Sequence, residues 1–261
     1  MHHPKVHIGG VVDPFWRYLN TEEWEPEWRS LVNVLDREHL SVDFRIAIQR
    51  LWAALQGTDA AKRLEVFDDW VGYLDDVSRH ERMETLCEIL TDMLERGELD
   101  VVDMLLRIAM LQDDTTHEAE EHRLCLRLLR GMCLLASSIR ARFIGEVMQV
   151  FLQRLLEDSP VATSSVRGEV IELLLVVISE SPEYQRDFMR RNGVTTVCTL
   201  YSRSRDEAEL FERAGAFINA LLLQVLPSGA SSALSNALTA EAQESVEEAL
   251  GEDELQVILA R

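Results

Sequence analysis

Residues 179–226 read SESPEYQRDFMRRNGVTTVCTLYSRSRDEAELFERAGAFINALLLQVL, and this stretch decides the fold. Ser181 and Pro182 predict a helix start, because Ser supplies an N-cap oxygen and Pro fits the first helical turn. Asn192 and Gly193 predict the end of that helix, since both residues tolerate a left-handed backbone.

Two more helices are predicted within the same stretch. The first covers about 194–201, and a polar turn then leads into a long helix that ends at Pro227. The order short, short, long resembles an armadillo repeat. This resemblance implies an all-α fold, a right-handed α-α superhelix of the armadillo or HEAT type, in which each unit buries its apolar face against its neighbours.

The long helix recurs along the chain. Residues 122–137, 166–181 and 210–225 begin 44 residues apart, and their apolar positions coincide. A period of about 40–47 residues is typical of armadillo and HEAT units. The coinciding sets are Leu126, Val170 and Ala214; Leu129, Leu173 and Phe217; Cys133, Val177 and Leu221; and Leu134, Ile178 and Leu222.

The domain organisation follows from this period and from shifts in composition. We predict an irregular lead-in, one helical domain whose repeats are clearest at its end, and a Ser/Ala-rich, acidic cap or tail. The lead-in is 1–21, the domain 22–227, its clearest repeats 98–137, 138–181 and 182–227, and the cap or tail 228–261.

The composition limits the classes of partner. The 261 residues carry a formal net charge of −20, which argues against nucleic acid and against anionic lipid, since both attract cationic surfaces. A basic protein surface is the electrostatically reasonable partner, although many proteins are acidic only for solubility. Hydrophobic residues make up 47%, enough for a continuous core.

The cysteines and apolar segments predict the compartment. Cys87, Cys125, Cys133 and Cys198 lie in apolar helical stretches without a CxxC pair, which indicates free thiols in a reducing environment. The first residues lack the apolar segment of a signal peptide, and no apolar run approaches the ~20 residues of a membrane span. We therefore predict a cytoplasmic protein without membrane insertion, and the nucleus and the cytoskeleton stay open as alternative intracellular locations.

No motif indicates catalysis or a metal. The segment HEAEEH places His117 and His122 five residues apart, whereas histidines that share a zinc ion on one helix face lie four apart. Nucleotide-binding and nucleophile motifs are absent from the sequence. We expect no cofactor, no metal site and no enzymatic activity.

Five side chains are predicted to contact a protein partner. Trp16, Trp24 and Trp28 lie in an aromatic N-terminal segment, where they either cover the end of the helical stack or form a docking patch. Arg213 and Asn219 are polar residues of the last long helix. In an armadillo superhelix this helix faces the partner.

One departure from the armadillo pattern bears on the kind of partner. Peptide-binding armadillo proteins of the nuclear-import and catenin type present a Trp and an Asn on this helix. Here Ala216 and Ala220 stand at those positions, and Asn219 lies one residue away. The departure favours a folded partner domain over an extended peptide.

A narrower resemblance covers about 55 residues at the end of the helical domain. The segment is similar to the fungal septation-initiation family called cell division control protein fourteen, and this similarity implies a non-catalytic subunit that binds a protein kinase. The matching residues are Ser181, Pro182, Glu183, Arg186, Phe188, Gly193, Val197, Cys198, Leu226 and Pro227.

Two functional hypotheses follow. The first is a non-catalytic adaptor or scaffold that binds another protein, such as a kinase, through its helical surface. The alternative is a structural subunit that is stable only within a larger assembly. An enzyme would require a deep polar pocket with convergent acids.

Overall fold

The computed structural model describes residues 42–57, 59–79, 83–96, 100–110, 119–159, 162–179, 181–223 and 232–259. The chain divides after Arg45 into two compact units, and the helices described below belong to the second, Ile46–Arg261, apart from residues 42–45 at the start of the first helix. Over the described ranges the regular elements are helices and none is a strand, which confirms the predicted all-α class.

The helices are labelled in chain order. They are α1 (42–56), α2 (Ala60–Arg79), α3 (Met83–Glu95), α4 (Asp100–Met110), α5 (Ala119–Leu135), α6 (Ser137–Arg140), a 3-10 turn (Ala141–Phe143), α7 (Glu146–Leu156), α8 (Ser164–Ile178), α9 (Pro182–Arg190), α10 (Gly193–Arg203), α11 (Ala208–Leu223), α12 (Ser232–Leu250) and α13 (Glu252–Leu259).

The start of α9 is confirmed. Ser181 has an extended backbone, and its Oγ accepts a hydrogen bond from the backbone N–H of Tyr184 at 3.5 Å. Pro182 occupies the first turn, where its missing N–H leaves no helical bond unmade. These two residues therefore determine where α9 begins, as the sequence predicted.

The end of α9 differs in part from the prediction. Asn192 is the left-handed residue, with φ 59° and ψ 30°, and it precedes the first turn of α10. Gly193 is already helical, so the prediction of a left-handed role for it was wrong. A Cβ on Gly193 would lie 2.5 Å from the ring of Phe188, so the absence of a side chain there is a packing requirement.

The long helices pack on one another in chain order. α5 lies between α2 and α8, and α8 also packs on α11. The shorter helix α7 likewise packs on α4 and α10, while α12 covers α9, α10 and α11. This succession of neighbours is compatible with a helical solenoid.

The C-terminal helix α13 packs on α11 and α12, and it is also hydrogen-bonded to α10 through Tyr201. The hydroxyl of Tyr201 on α10 donates a hydrogen bond to Glu254 at 2.9 Å, and Arg205 lies 3.4 Å from the same carboxylate. The ring of Tyr201 stacks on Phe211 with centroids 4.3 Å apart. Residues 252–259 therefore form a short helix that packs against α10, α11 and α12.

Three of the four sets predicted at a spacing of 44 residues are buried in all three helices, and the fourth is not. Leu134, predicted to align with Ile178 and Leu222, is 55% exposed, whereas those two side chains are buried. From α5 to α8 the buried positions coincide more fully at a spacing of 45, and these two helices begin 45 residues apart, whereas α8 and α11 begin 44 residues apart. The coinciding buried sets are Cys125, Val170 and Ala214; Leu128, Leu173 and Phe217; Leu129, Leu174 and Ile218; Met132, Val177 and Leu221; and Cys133, Ile178 and Leu222.

A buried ion pair joins α2 to α5. The side chains of Arg63 and Glu121 are 6% and 0% exposed, and the Nε of Arg63 donates to a Glu121 carboxylate oxygen. A second nitrogen of Arg63 donates to the carbonyl of Gly57 at 2.8 Å. A carboxylate with no access to water needs such a partner, so this pair fixes the position of α2 on α5.

The four cysteines are free thiols. Cys125, Cys133 and Cys198 are buried in the helical core, and Cys87 is half-buried. The Sγ of Cys125 donates a hydrogen bond to the carbonyl of Leu105 on α4 at 3.1 Å. The prediction that the cysteines lie inside apolar helices is met most fully by the three on α5 and α10.

Candidate functional site

The accessible faces of α5, α8 and α11 carry a set of arginines and glutamates. On α5, Arg123, Arg127 and Arg130 follow one another at spacings of four and three, so they share one face of the helix. Their side chains are half-buried. Because α8 packs on α5 and α11 packs on α8, side chains from all three helices meet here.

Glu169 of α8 is the centre of this set. Its side chain is 7% exposed, and a nitrogen of each of four arginines lies within 4.0 Å of its carboxylate: Arg130 at 3.2 Å, Arg127 at 3.9 Å, Arg123 at 4.0 Å and Arg213 at 4.0 Å. We call these four arginines the arginine cluster. Burial of a carboxylate is costly, and the arginines offset that cost electrostatically.

Glu172, one helical turn further along α8, links the two sides of the arginine cluster. An Nη atom of Arg213 on α11 lies 2.9 Å from its carboxylate, and Arg130 on α5 contacts the other oxygen. Its side chain is 35% exposed. Glu172 therefore joins α5 and α11 across the face of α8.

Two outer glutamates flank the arginine cluster. Arg123 donates two hydrogen bonds to Glu120, at 2.6 and 2.7 Å, and Arg213 donates one to Glu209 at 2.6 Å. The side chains of Glu120 and Glu209 are 51% and 77% exposed. The hydrogen bond from Arg123 is the main reason that the pKa of Glu120 lies below its usual range.

The guanidiniums influence one another. The pKa of Arg130 is lowered, first by burial and then by the positive charges of Arg127 and Arg213, while Glu169 opposes this shift. The pKa of Arg123 is raised, chiefly by its hydrogen bond to Glu120. Several positive charges are therefore held close together on a chain whose formal net charge is −20.

Gly168 makes room for Arg213. A Cβ on Gly168 would lie 3.0 Å from an Nη atom of Arg213 and 3.1 Å from its Cδ. The arginine side chain thus crosses the backbone of α8 at the one residue that has no side chain. This close approach directs the guanidinium of α11 toward Glu169 and Glu172.

The predicted site residues have different outcomes. Arg213 belongs to the arginine cluster, whereas Asn219 lies further along α11, half-buried, with an Oδ1 that is buried and makes no hydrogen bond. Trp16, Trp24 and Trp28 lie outside the described residues. Of the two predicted residues that the structure describes, Arg213 belongs to the cluster and Asn219 does not.

The other members of the arginine cluster were not predicted, although the sequence carried part of the signal. Arg123, Arg127 and Arg130 form a stripe at helical spacing. The partner carboxylate Glu169 lies more than 38 residues away along the chain, on a different helix. Their meeting depends on how α8 packs on α5, which a local pattern does not contain.

The histidine motif does not form a metal site in the described part of the chain. His122 is fully buried, and His117 lies outside the described residues. No group of three or more His, Cys, Asp or Glu residues that could hold a metal ion occurs over the described ranges. None of the described helices combines the length and apolar character needed to span a membrane.

Comparison with known proteins does not assign the chain to a family. No family model, no curated protein and no solved structure matches it. The function must therefore be argued from the residues themselves.

Proposed function

We propose that this chain is a non-catalytic adaptor of the armadillo/HEAT superhelix type, which binds another protein through the joined faces of α5, α8 and α11. The observation that carries the proposal is the arginine cluster around Glu169. Four arginines from two helices are held by one nearly buried carboxylate on a third. Arginine is enriched in protein interfaces, and an ordered side chain loses less entropy when a partner binds.

The composition of the rest of the face agrees with a role in binding. Ala216 is exposed and Ala220 half-buried on α11, beside the arginine cluster. Small side chains at these positions leave the backbone of α11 accessible to a partner. Small side chains would not be needed at these two positions if the surface served only to pack the helices together.

A kinase, or another protein with a basic surface, is the partner class that we propose. Helices α12 and α13 carry seven acidic residues, and residues 214–260 contain no lysine or arginine. This end of the described chain is therefore complementary to a basic surface. The acidic residues are Glu241, Glu244, Glu247, Glu248, Glu252, Asp253 and Glu254.

The proposal is tested by capture of a partner, followed by measurement with both purified proteins. Ala216→Gln combined with Ala220→Gln adds bulk to the face without changing its charge. Its control is Ala53→Gln, at an exposed position of α1. We expect the double variant to weaken binding by about tenfold or more, as for a residue near the centre of an interface, and the control to bind like the wild type.

Two outcomes would contradict the adaptor function. One is that the purified partner binds the double variant and the control equally. The other is that the isolated chain aggregates and melts at a temperature that depends on its concentration, as expected for a subunit that is stable only within an assembly.

A further inference from the structure

The arginine cluster carries more positive charge than the two inner glutamates neutralise. Four guanidiniums surround Glu169 and Glu172, which leaves a surplus of two positive charges. In the described structure the outer glutamates, Glu120 and Glu209, supply two further negative charges, and Asp68 on α2 also acts electrostatically on Arg123. The outer carboxylates are more exposed than the inner ones. A negatively charged ligand could therefore take the place of the outer carboxylates beside the arginines.

The outer glutamates can be displaced at little cost. Glu209 is 77% exposed and Glu120 is 51% exposed, so either carboxylate can rotate into water. Exposed ion pairs contribute little to stability, since water and salt screen them. By contrast, Glu169 is 7% exposed and held by four arginines, so it stays in place.

Arg127 has the most unused hydrogen-bonding capacity in the arginine cluster. Its contact within the described residues is with Glu169 at 3.9 Å, beyond hydrogen-bond distance, and it makes no hydrogen bond there. Its side chain is 29% exposed. A guanidinium has five donors in a fixed plane, arranged to bind the oxygens of a phosphate or carboxylate.

We infer that the arginine cluster binds the phosphate group of a phosphorylated side chain on the partner protein, displacing Glu120 and Glu209. A phosphate monoester carries about −1.5 to −2 charges and three acceptor oxygens, which matches the surplus of two positive charges better than a single carboxylate does. This inference rests on the proposed function, because it names the group that the same face would recognise.

Other polyanions fit less well. The chain as a whole has a net charge of −20, so a nucleic acid or an anionic membrane would meet repulsion around a small positive site. A single phosphate needs only the four guanidiniums. The geometry therefore favours one phosphorylated residue over an extended anionic surface.

The first test measures binding of a degenerate peptide pool with a fixed central phosphoserine, against the same pool with serine. Arg127→Gln should weaken phosphopeptide binding by about tenfold, since it removes one charge-assisted contact. Arg142→Gln is the matched control, because Arg142 is 57% exposed and pairs with Asp103 instead. Unchanged binding by Arg127→Gln, or equal loss in both variants, overturns the inference.

The second test measures a predicted increase in phosphopeptide affinity. Glu209→Gln removes a carboxylate that competes with the phosphate, so it should raise phosphopeptide affinity about two- to threefold, the size expected when an exposed charge pair is removed. Glu183→Gln, at an exposed position of α9, is the control for the change in charge. A purely structural cluster predicts no such gain, and its absence in Glu209→Gln counts against the inference.

Two more probes separate the sources of phosphate. Inorganic phosphate should bind more weakly than the phosphopeptide pool, and vesicles containing phosphatidylserine should not bind through the cluster. If inorganic phosphate binds as tightly as the pool, or if vesicle binding is lost in Arg127→Gln, the phosphorylated protein segment is the wrong ligand.

Failure of this inference can be told apart from failure of the adaptor function. If a purified partner binds the wild type and is weakened by the Ala216 and Ala220 variant, but is indifferent to phosphatase treatment and to Arg127→Gln, the adaptor function stands and the phosphate inference falls.

Discussion

The ring of Phe188 occupies the space that a side chain on Gly193 would need, with ring atoms 2.5 to 2.6 Å from the position of a Cβ. Phe188 belongs to α9 and Gly193 is the first residue of α10, so this contact sets how closely the two helices join. The left-handed Asn192 makes the turn between them. One close approach therefore fixes the corner between α9 and α10.

We predict that Gly193→Ala destabilises the protein by about 1–3 kcal/mol, because the new methyl group forces the Phe188 ring from its site. Gly72→Ala is the matched control. Gly72 lies on the exposed face of α2 with no atom within 4 Å of a Cβ, so alanine there should stabilise by about 0.5–1 kcal/mol. Urea unfolding of both variants measures the difference, and equal effects would contradict the packing role of Gly193.

Phe188→Ala should cost about 3–5 kcal/mol, since the side chain is fully buried and its loss leaves a cavity. The ring also lies against Phe217 of α11, with centroids 5.5 Å apart. A loss of less than about 1 kcal/mol would show that this aromatic pair is not part of a well-packed core. Thermal or urea unfolding gives the value.

The buried ion pair between Arg63 and Glu121 should behave differently from an exposed one. Removing either partner by substitution with alanine leaves a buried charge unpaired, which costs about 3–5 kcal/mol. Arg96 and Asp92 form an exposed pair at 2.7 Å, and Arg96→Ala should cost less than about 0.5 kcal/mol. A double-mutant cycle on the Arg63 pair tests the coupling, and independent effects of the two substitutions would exclude it.

The thiols should differ in their reactivity toward an aromatic disulfide reagent. Burial raises the pKa of Cys133 and of Cys198 to about 12, and it raises that of Cys125 as well. Since the thiolate is the reactive form, these three should stay almost unlabelled in the folded protein at pH 8. Cys87 is half-buried, so it should label first. Four labelled thiols without denaturant would contradict the described core.

The hydrogen bond between Arg123 and Glu120 can be read out by titration. Because the pKa of Glu120 is lowered, the pair stabilises the folded state above the usual carboxyl pKa of 4.5, and this contribution is lost as the pH falls through the lowered value. Arg123→Gln should raise the pKa of Glu120 toward 4.5, as measured by NMR of the side-chain carboxyl carbon. An unchanged pKa would mean that the hydrogen bond does not form in solution.

Local signals in the sequence were reliable where one or two residues determine the backbone. Ser181 and Pro182 begin α9, and Asn192 turns the chain after it, as their chemistry requires. The role of Gly193 could not be read in the same way. The ring that leaves no room for a side chain at this position belongs to the preceding helix. The turn propensity of a glycine does not reveal such a contact.

The alignment of the long helices shows a second limit of prediction from the sequence. In both α5 and α8 many apolar residues are neighbours in the sequence. Shifting one sequence against the other by one residue therefore still aligns most of the apolar positions. Leu134 made the 44-residue alignment look complete, yet its side chain is exposed and α5 fits α8 at a spacing of 45. Only the packing of the helices separates these two registers.

The candidate site was the least predictable part of the molecule. The arginine stripe of α5 is visible in the sequence, but charged stripes usually face water. The interpretation of this stripe as a candidate site depends on Glu169. That residue is nearly buried because α5 and α11 pack on both sides of α8. Residues far apart in the chain create the electrostatic environment, so no local pattern contains it.

The absence of lysine and arginine between Arg213 and Arg261 has a consequence for proteolysis. Trypsin has no cleavage site within α12, α13 or the segment that joins α11 to α12. The nearest site before them follows Arg213, inside α11, where the side chain is held by Glu172 and Glu209. Tryptic release of α12 and α13 without α11 therefore requires α11 to open, and its rate reports the local stability of α11.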